Sequence, residues 1–319
     1  MNSWCVITTI NKPTKAIEKF YDIFGDNLII VGDKKTPEDW YYKGLAVLKE
    51  STAPYAPDNH YARKNIGYLI AMKNRAELIY DSDDDNYPNE NWKIRDSQVE
   101  ASLSIGEGWY NVYDLVSEEY IWPRGFSLRH LKDKPSCGMK KFRTSSIQQG
   151  LADGEPDVDA IWRLVINKQN KFLIDKSIYL QPNTWCPFNS QSTWFFPKAY
   201  PLMYLPITAS FRMTDIWRSF IAQRCLWALG EGVTFHSPSE VFQDRNEHDL
   251  LKDFGDEIYG YLNNDAIVET LTNVELKDGE GYTCDNLLTC YQALVNKNIL
   301  PIEEIISLKA WIKDYKSIT

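Results

Sequence analysis

Four carboxylates, Asp81, Asp83, Asp84 and Asp85, fall within five positions of "YDSDDDN" (80–86), directly after the apolar run Leu78-Ile79-Tyr80. Like charges at this spacing repel, and each pushes its neighbour's pKa up unless a cation holds them. In extended chain Asp81, Asp83 and Asp85 share one face and Asp84 points the other way. Mg2+ and Mn2+ are hard ions that take oxygen ligands, and Mg2+ uses one or two carboxylates plus substrate phosphates. A strand ending in Asp-x-Asp therefore suits a metal on a diphosphate, with Asp83 and Asp85 as ligands. A solvated acidic turn is the plain alternative.

Other residues with chemical capacity lie along the chain. Arg63 and Lys64 open a helix facing the acidic edge, where two cations and a helix N-terminus could neutralise a diphosphate. "IWPRGFSLRHL" (121–131) holds Arg124 and Arg129, and a guanidinium clamps phosphate at two points. "GLADGEPDVDAIWRL" (150–164) offers Asp157 and Asp159, either to sugar hydroxyls or as loop caps. Thr214 and Asp215 open a helix in "SFRMTDIWRSFIAQRCLWALGEG" (210–232), where a carboxylate also favours the helix dipole. His236 follows in "VTFHSP"; a lone histidine is more often structural than a ligand.

The elements that must position these groups are legible from periodicity. "CVITTI" (5–10) is a β-branched run and reads as a buried strand. In "PTKAIEKFYDIF", Ala16, Ile17, Phe20 and Phe24 fall at helical spacing. "NLIIVGD" (27–33) is a second strand, ending in Asp33. "YARKNIGYLIAMKN" sets Ala62, Ile66, Leu69 and Ile70 on one helical face, with Asp58 or Asn59 to cap it. "AELIYDSDDD" is the third strand. Strand and helix alternating with short connections predict a parallel, doubly wound α/β arrangement, with ligands at the carboxyl ends of strands. Asp33 and the aspartate cluster both sit at such ends.

Beyond residue 240, "EHDLLKDFGDEIYGYL", "NDAIVETL", "DNLLTCYQALVNK" and "PIEEIISLKAWIKDY" are amphipathic and helical, without a catalytic pattern. The expected division is a ligand-binding domain over 1–240 and a helical extension over 241–319. The net charge of −9 argues against a broad grip on nucleic acid or anionic lipid. The six cysteines form no CxxC pair and read as reduced thiols of a cytoplasmic protein. No run approaches the ~18 apolar residues of a membrane span.

"YARKNIGYLIAMKNRAELIYDSDDDN" resembles the glycosyltransferases of the A fold that use nucleotide sugars. There a similar helix leads into a strand ending in Asp-x-Asp. More narrowly, "WCVITTINKPTKAI", "VGDKKTPEDW", "YARKNIGYL", "IYDSDDDN", "WPRGFSL" and "SFRMTDIWRSFIAQRCLW" resemble the STELLO glycosyltransferase-like family over most of residues 3–240. A more distant likeness, carried by "DDD", "RGFSLR", "GLADGEPDVDA", "RMTDIW" and "FHS", is to the reversibly glycosylated polypeptides, which act as UDP-arabinopyranose mutases.

The resemblance implies a glycosyltransferase-A-like mixed sheet with helices on both faces. It implies a nucleotide-sugar donor (a UDP-sugar), Mn2+ or Mg2+ as cofactor, and a glycan or lipid-linked acceptor in polysaccharide synthesis. Peripheral membrane contact and a homo-oligomer are compatible with it. Thr8, Thr9 and Asp33 would hold the nucleoside. Arg63, Lys64, Asp83 and Asp84 would bind the rest of the donor, and Asn189, with Ser190, would close over its sugar. His236 would join Asp83 and Asp85 on the metal, Asp215 would be the general base, and Arg124 would bind phosphate or sugar. The alternatives are a pyranose–furanose mutase glycosylated at an arginine, for which the spacing around Arg124 departs from the family pattern, and a non-catalytic scaffold.

Overall fold

The computed structural model describes residues 1–244 and 249–318. In chain order its strands are β1 (Ser3–Thr8), β2 (Leu28–Val31), β3 (Val47–Leu48), β4 (Leu78–Asp83), β5 (Asn86–Pro88), β6 (Gln98–Ile105), β7 (Gly108–Trp109), β8 (Ser136–Thr144), β9 (Ile147–Gly154), β10 (Lys176–Tyr179), β11 (Thr184–Trp185), β12 (Ser192–Phe195) and β13 (Thr234–Gln243). The helices are α1 (Lys15–Phe24), α2 (Lys64–Lys73), α3 (Val112–Val116), α4 (Ala160–Val165), α5 (Thr214–Ala228), α6 (Leu250–Thr272), α7 (Thr283–Asn296) and α8 (Glu303–Ile318).

The main sheet runs β3-β2-β1-β4-β12-β9-β13-β10-β6-β8, with β5 paired to β13. β1 is parallel to β2 and to β4, the doubly wound half that the alternation predicts. From β4 onward the sheet is mixed. β12 runs antiparallel to both β4 and β9, and β13 is parallel to β9. These reversals bring the carboxyl ends of β1, β2, β4, β9 and β13 to one edge, where such sheets bind ligands.

Period-two alternation separates two cores. Cys5, Ile7, Leu28, Ile30, Leu78 and Tyr80 pack with α1 on one face. Val6, Ile29, Val31 and Ile79 pack with α2 on the other. Each large apolar side chain contributes roughly 1.5–3 kcal/mol on burial. A one-residue slip of β4 would invert its faces and lose this, so Asp81 and Asp83 are held on the α2 side with Ile79.

α1 forms as its spacing requires, burying Ala16, Ile17, Phe20 and Phe24, with Thr14 capping Ile17 N–H. α2 differs from expectation. Its deep face is Lys64, Gly67, Tyr68 and Ala71, while Ile66, Leu69 and Ile70 are only partly buried. Gly67 lets the helix lie directly on the sheet, since a Cβ there would come within 2.5 Å of Val6. The cap is also different. His60, not Asp58 or Asn59, accepts from Ala62 N–H at the short 3-10 turn leading into α2.

α6 packs on α4 and α5, α7 on α5 and α6, and α8 on α2 and α7. Their apolar residues Ile267, Leu287, Leu294 and Trp311 join the same core as α2 and α5. Position 240 itself lies within β13. All six cysteines are unbridged. Among the described residues, no helix is long and apolar enough to cross a membrane.

Candidate active site

The register of the parallel strands sets Thr8 beside both Val31 and Asp83. The four carboxylates after Tyr80 then diverge. Asp81 is fully buried and pairs with Lys64 Nζ at 2.9 Å and Arg218 Nη1 at 3.3 Å. Asp83 accepts from Lys64 Nζ at 2.8 Å and from the Tyr61 hydroxyl at 2.6 Å, both on Oδ1. Asp84, in the turn, accepts from the Thr9 hydroxyl and from Asn11 Nδ2, bracing the β1–α1 loop. Asp85 does not share Asp83's face, because the strand ends at Asp83. Its carboxylate meets Asn86 Nδ2 at 2.7 Å and Gln243 Nε2, at the end of β13, at 3.0 Å.

The cation that like-charged carboxylates need is thus partly supplied by the chain. Burial works against the Lys64 ammonium, but Asp81 and Asp83 outweigh it and raise its pKa above the ordinary value. Burial likewise raises the Asp83 carboxyl despite Lys64 and Tyr61, although 26% of the side chain still reaches solvent. Placing an ammonium out of water costs several kcal/mol unless it is well paired. A fully buried lysine bridging two aspartates at a strand's carboxyl end is the kind of perturbed constellation that concentrates at functional sites.

A second assembly stands at the start of α5. Gly125, at φ +84°, follows Arg124, and a Cβ there would meet Ile216 Cγ2 at 2.3 Å, so only glycine lets this turn lie against α5. Arg124 donates through Nε and Nη2 to Asp157 at 2.8 and 2.7 Å, and through Nη1 and Nη2 to Asp215 at 3.0 Å each. Its Nη1 also donates to the Arg212 carbonyl. Asp215 further accepts from the backbone N–H of Ser190 at 3.3 Å and of Ile216 at 3.0 Å. Asn189 Nδ2 donates to Asp157 at 3.0 Å. Arg218, one turn along α5 from Asp215, donates to Ser190 Oγ at 2.9 Å and reaches Asp81. The two assemblies therefore form one buried network, from Asp83 through Lys64, Asp81, Arg218 and Ser190 to Asp215, Arg124 and Asp157.

The C-terminal helices hold this network. Glu257 of α6 accepts from Arg212 Nε at 3.0 Å and from Ala160 N–H at 2.8 Å. Asn264 of α6 accepts from the Trp217 indole N–H and donates to the Gly125 carbonyl, each at 2.9 Å. Glu304 of α8 accepts from the Thr208 hydroxyl and N–H at 2.6 and 2.9 Å.

Several expected site residues are placed otherwise. Arg63 spends its guanidinium on the carbonyls of Gly32, Ala56 and Lys49 and on Asp58, and so ties loops together rather than facing a diphosphate. Asp33 accepts from the backbone N–H groups of Lys34, Asn59 and His60, which anchors the loop before α2. His236 does not join the carboxylates. It is buried in the sheet, with Nδ1 against Ser177 Oγ at 2.8 Å and Nε2 against Gln148 Oε1 at 2.9 Å. Burial, with Arg95 and Lys93 nearby, keeps its pKa well below the usual value, and both ring nitrogens are already engaged. Arg124 is not an open phosphate clamp, since each guanidinium nitrogen is engaged.

Tyr61, Arg218, Arg212 and Glu257 were not foreseen as site residues. Helical spacing offered a signal for two of them. Tyr61 stands three residues before Lys64, and Arg218 three after Asp215, which sets each pair on a common face.

Among the described residues, no three His, Cys, Asp or Glu side chains converge as a ready metal cage. A hard cation needs only one or two carboxylates when phosphate oxygens complete its shell. The two carboxylates expected to serve, Asp83 and Asp85, already accept from Lys64 and Tyr61 and from Asn86 and Gln243 respectively. At this strand end Lys64 pairs with Asp81 and Asp83, and Arg218 with Asp81.

Residues 212–319 match the family model of the STELLO glycosyltransferases. That match includes α5 and all of α6–α8, where the sequence carried no likeness of its own beyond residue 240. The chain is also similar to two Arabidopsis thaliana proteins, "Probable glycosyltransferase STELLO1", 27% identical, and "Probable glycosyltransferase STELLO2", 26% identical, each over 279 residues. These alignments take in 76% of this chain but 36% of each relative, so the chain spans about a third of the length of the curated relatives it matches.

Proposed function

We propose that this chain, with its likeness to the STELLO glycosyltransferases, binds a nucleoside diphosphate sugar, a UDP-sugar, at the carboxyl edge of β1, β2 and β4 and transfers the sugar to an acceptor hydroxyl. The observation that carries the reading is the single buried network running from Asp83 and Lys64 to Asp215 and Arg124. It links the acidic strand end at Asp83 to the helix-opening carboxylate Asp215, which in this reading are the two parts that donor binding and acceptor deprotonation require.

In this reading Thr8 and Thr9 face the nucleoside, and Lys64 supplies positive charge to the diphosphate. Asp83 and Asp85 would hold Mn2+ or Mg2+, which when bound would stabilise charge on the leaving diphosphate. Arg124 orients Asp215 and Asp157 by bonding both. Asp215 would take the acceptor proton, with Asp157 as the neighbouring candidate. Self-glycosylation at Arg124 is disfavoured, because burial and three sets of partners leave its nitrogens committed.

The test is a thermal-shift titration of the full chain with UDP and UDP-sugars, in Mn2+ and in EDTA. A ligand that binds only the folded state raises the melting temperature as its concentration passes Kd. A UDP-dependent rise that needs the divalent cation, and that Asp85→Asn removes without altering the apo melting point, is expected. Equal UDP affinity in Mn2+ and in EDTA would defeat the metal assignment, and no response to any nucleotide would defeat the donor assignment.

A further inference from the structure

Phe211 is 58% exposed, and it adjoins both halves of the buried network. On one side its ring packs on Tyr61, with centroids 5.9 Å apart and planes at 69°, an edge-to-face contact. Tyr61 is itself held in place. Its hydroxyl donates to Asp83 Oδ1 at 2.6 Å and accepts from Lys64 Nζ at 3.0 Å. On the other side Phe211 opens the 3-10 turn Phe211–Met213, which runs directly into α5 and stands four residues before Asp215. The two sides meet at Tyr61. Burial first, then the charges of Asp83, Asp81 and Asp215, hold its hydroxyl pKa well above the ordinary value. Both Asp83 and Asp215 are therefore neighbours of the residue on which Phe211 packs.

The turn is fixed through its other residues. Ser210 Oγ donates to the Asp256 carbonyl of α6 at 2.8 Å. Arg212 is buried, with Nε donating to Glu257 at 3.0 Å and its carbonyl accepting from Arg124. Met213 is buried against Gly260 of α6, where a Cβ would meet its sulfur at 2.4 Å. Thr214 Oγ1 donates back to the Ser210 carbonyl at 3.2 Å. Of these five residues only Phe211 is exposed. An exposed apolar side chain is ordinary when it stands alone on a surface. This one stands on a backbone tied to α6 and Arg124, beside the two carboxylates assigned to the reaction. A ring on so rigid a support loses little freedom when a ligand covers it.

We infer that Phe211 is a stacking platform for a sugar ring of the acceptor, so that the acceptor is a glycoside. The inference rests on the glycosyl-transfer reading above and names its acceptor class. The face of an aromatic ring carries partial negative charge. A sugar ring has an apolar face of C–H bonds, whose hydrogens are weakly positive, and a rim of hydroxyls. Laid flat on Phe211, it covers the exposed phenyl face and leaves its hydroxyls free to meet carboxylates. The acceptor is the partner that this position selects. Phe211 belongs to the same short segment as Asp215, so one rigid element sets both the plane of the sugar and the group that takes its proton. The donor diphosphate, in the same reading, is held through Lys64 and Asp83 on the Tyr61 side.

The probes are methyl α- and β-glycosides of glucose, galactose, mannose and xylose, which carry no aromatic group of their own. Saturation-transfer NMR on the full chain, with and without UDP and Mn2+, reads their binding, and UDP thermal shift runs in parallel. At least one glycoside is expected to bind, with saturation strongest on the C–H protons of one ring face. Phe211→Ala should weaken it about three- to tenfold, the worth of one aromatic face. Phe211→Trp keeps a flat face and should retain binding, whereas Phe211→Leu keeps apolar bulk without the face and should not. All three variants should keep the UDP shift. A protein that responds to UDP but binds none of the eight glycosides, or binds them equally well with alanine or leucine at 211, overturns the platform. A UDP response lost in Phe211→Ala while glycoside binding persists would give the ring to the nucleobase and overturn it too. Glycoside binding that follows the aromatic face at 211 without any UDP response would uphold the platform and overturn the donor reading instead.

Discussion

Replacing Lys64 by methionine isolates the charge at the centre of the network. Methionine matches the straight lysine stem and fills irregular space, so little cavity is created. What is lost is one ammonium, 2.9 Å from Asp81 Oδ1 and 2.8 Å from Asp83 Oδ1, on a side chain with no exposure. Removing one member of a fully buried ion pair costs roughly 3–5 kcal/mol, because the other charge is stranded. Two features hold the cost to the lower end. Asp81 keeps Arg218 at 3.3 Å, and Asp83 still has 26% of its side chain in water. A loss of about 3 kcal/mol is therefore expected, against the ~5–15 kcal/mol of a typical domain. Urea unfolding should show it as a lower midpoint with an unchanged m value. Because the two aspartates then have no ammonium, millimolar Mg2+ should recover part of the loss in the variant and do less for the native chain. A destabilisation below ~1 kcal/mol would mean that desolvation cancels the pairing, and the argument from a resident cation would fail.

Asp215→Asn keeps the volume and leaves Arg124 paired with Asp157, so the fold and donor binding should persist while turnover drops by the ~10²–10⁴-fold typical of general-base loss; near-native transfer would reduce Asp215 to a positioning group and turn attention to Asp157. Burial pushes the Asp159 carboxyl up to about 7, against the N–H groups of Trp162 and Trp122. Between about pH 4 and 7 the native state thus holds a proton that the unfolded chain has released, so this contribution is full below pH ~4 and is lost as pH rises, by on the order of 4 kcal/mol in all. Asp159→Asn, also a competent helix cap, should flatten that part of the stability–pH curve, and an unchanged slope in urea unfolding would refute it. Deleting residues 249–319 removes α6–α8 from the α5 core and takes Glu257 from Arg212, so light scattering should show aggregation; a monodisperse product with unaltered melting would contradict the shared core.

The sequence by itself determined the first half of the sheet. Continuous apolar runs in β1, β2 and β4, and the 3.6-residue spacing of α1, are local patterns that mark buried strands and a helix, and with them came the acidic strand end at Asp83. It also marked Lys64, Arg124, Asn189 and Asp215 as polar groups in places where chemistry concentrates. Only the tertiary structure decided what those groups touch. α2 buries Lys64 and Tyr68 rather than Ile66 and Ile70, because Gly67 presses that face onto β1 and leaves the isoleucines to half-buried contacts. Arg63 and Asp33 look like ligands in sequence, but each is consumed by loop backbone groups that no local pattern announces. His236 follows in the expected order along the chain, yet the strand pairing of β13 with β9 and β10 gives both its nitrogens to Gln148 and Ser177. The network itself joins residues more than a hundred positions apart, from Asp81 to Arg218 and from Arg124 through Arg212 to Glu257. Side-chain periodicity specifies which face a residue takes. Which charge stands opposite is fixed by how helices and strands distant in sequence pack.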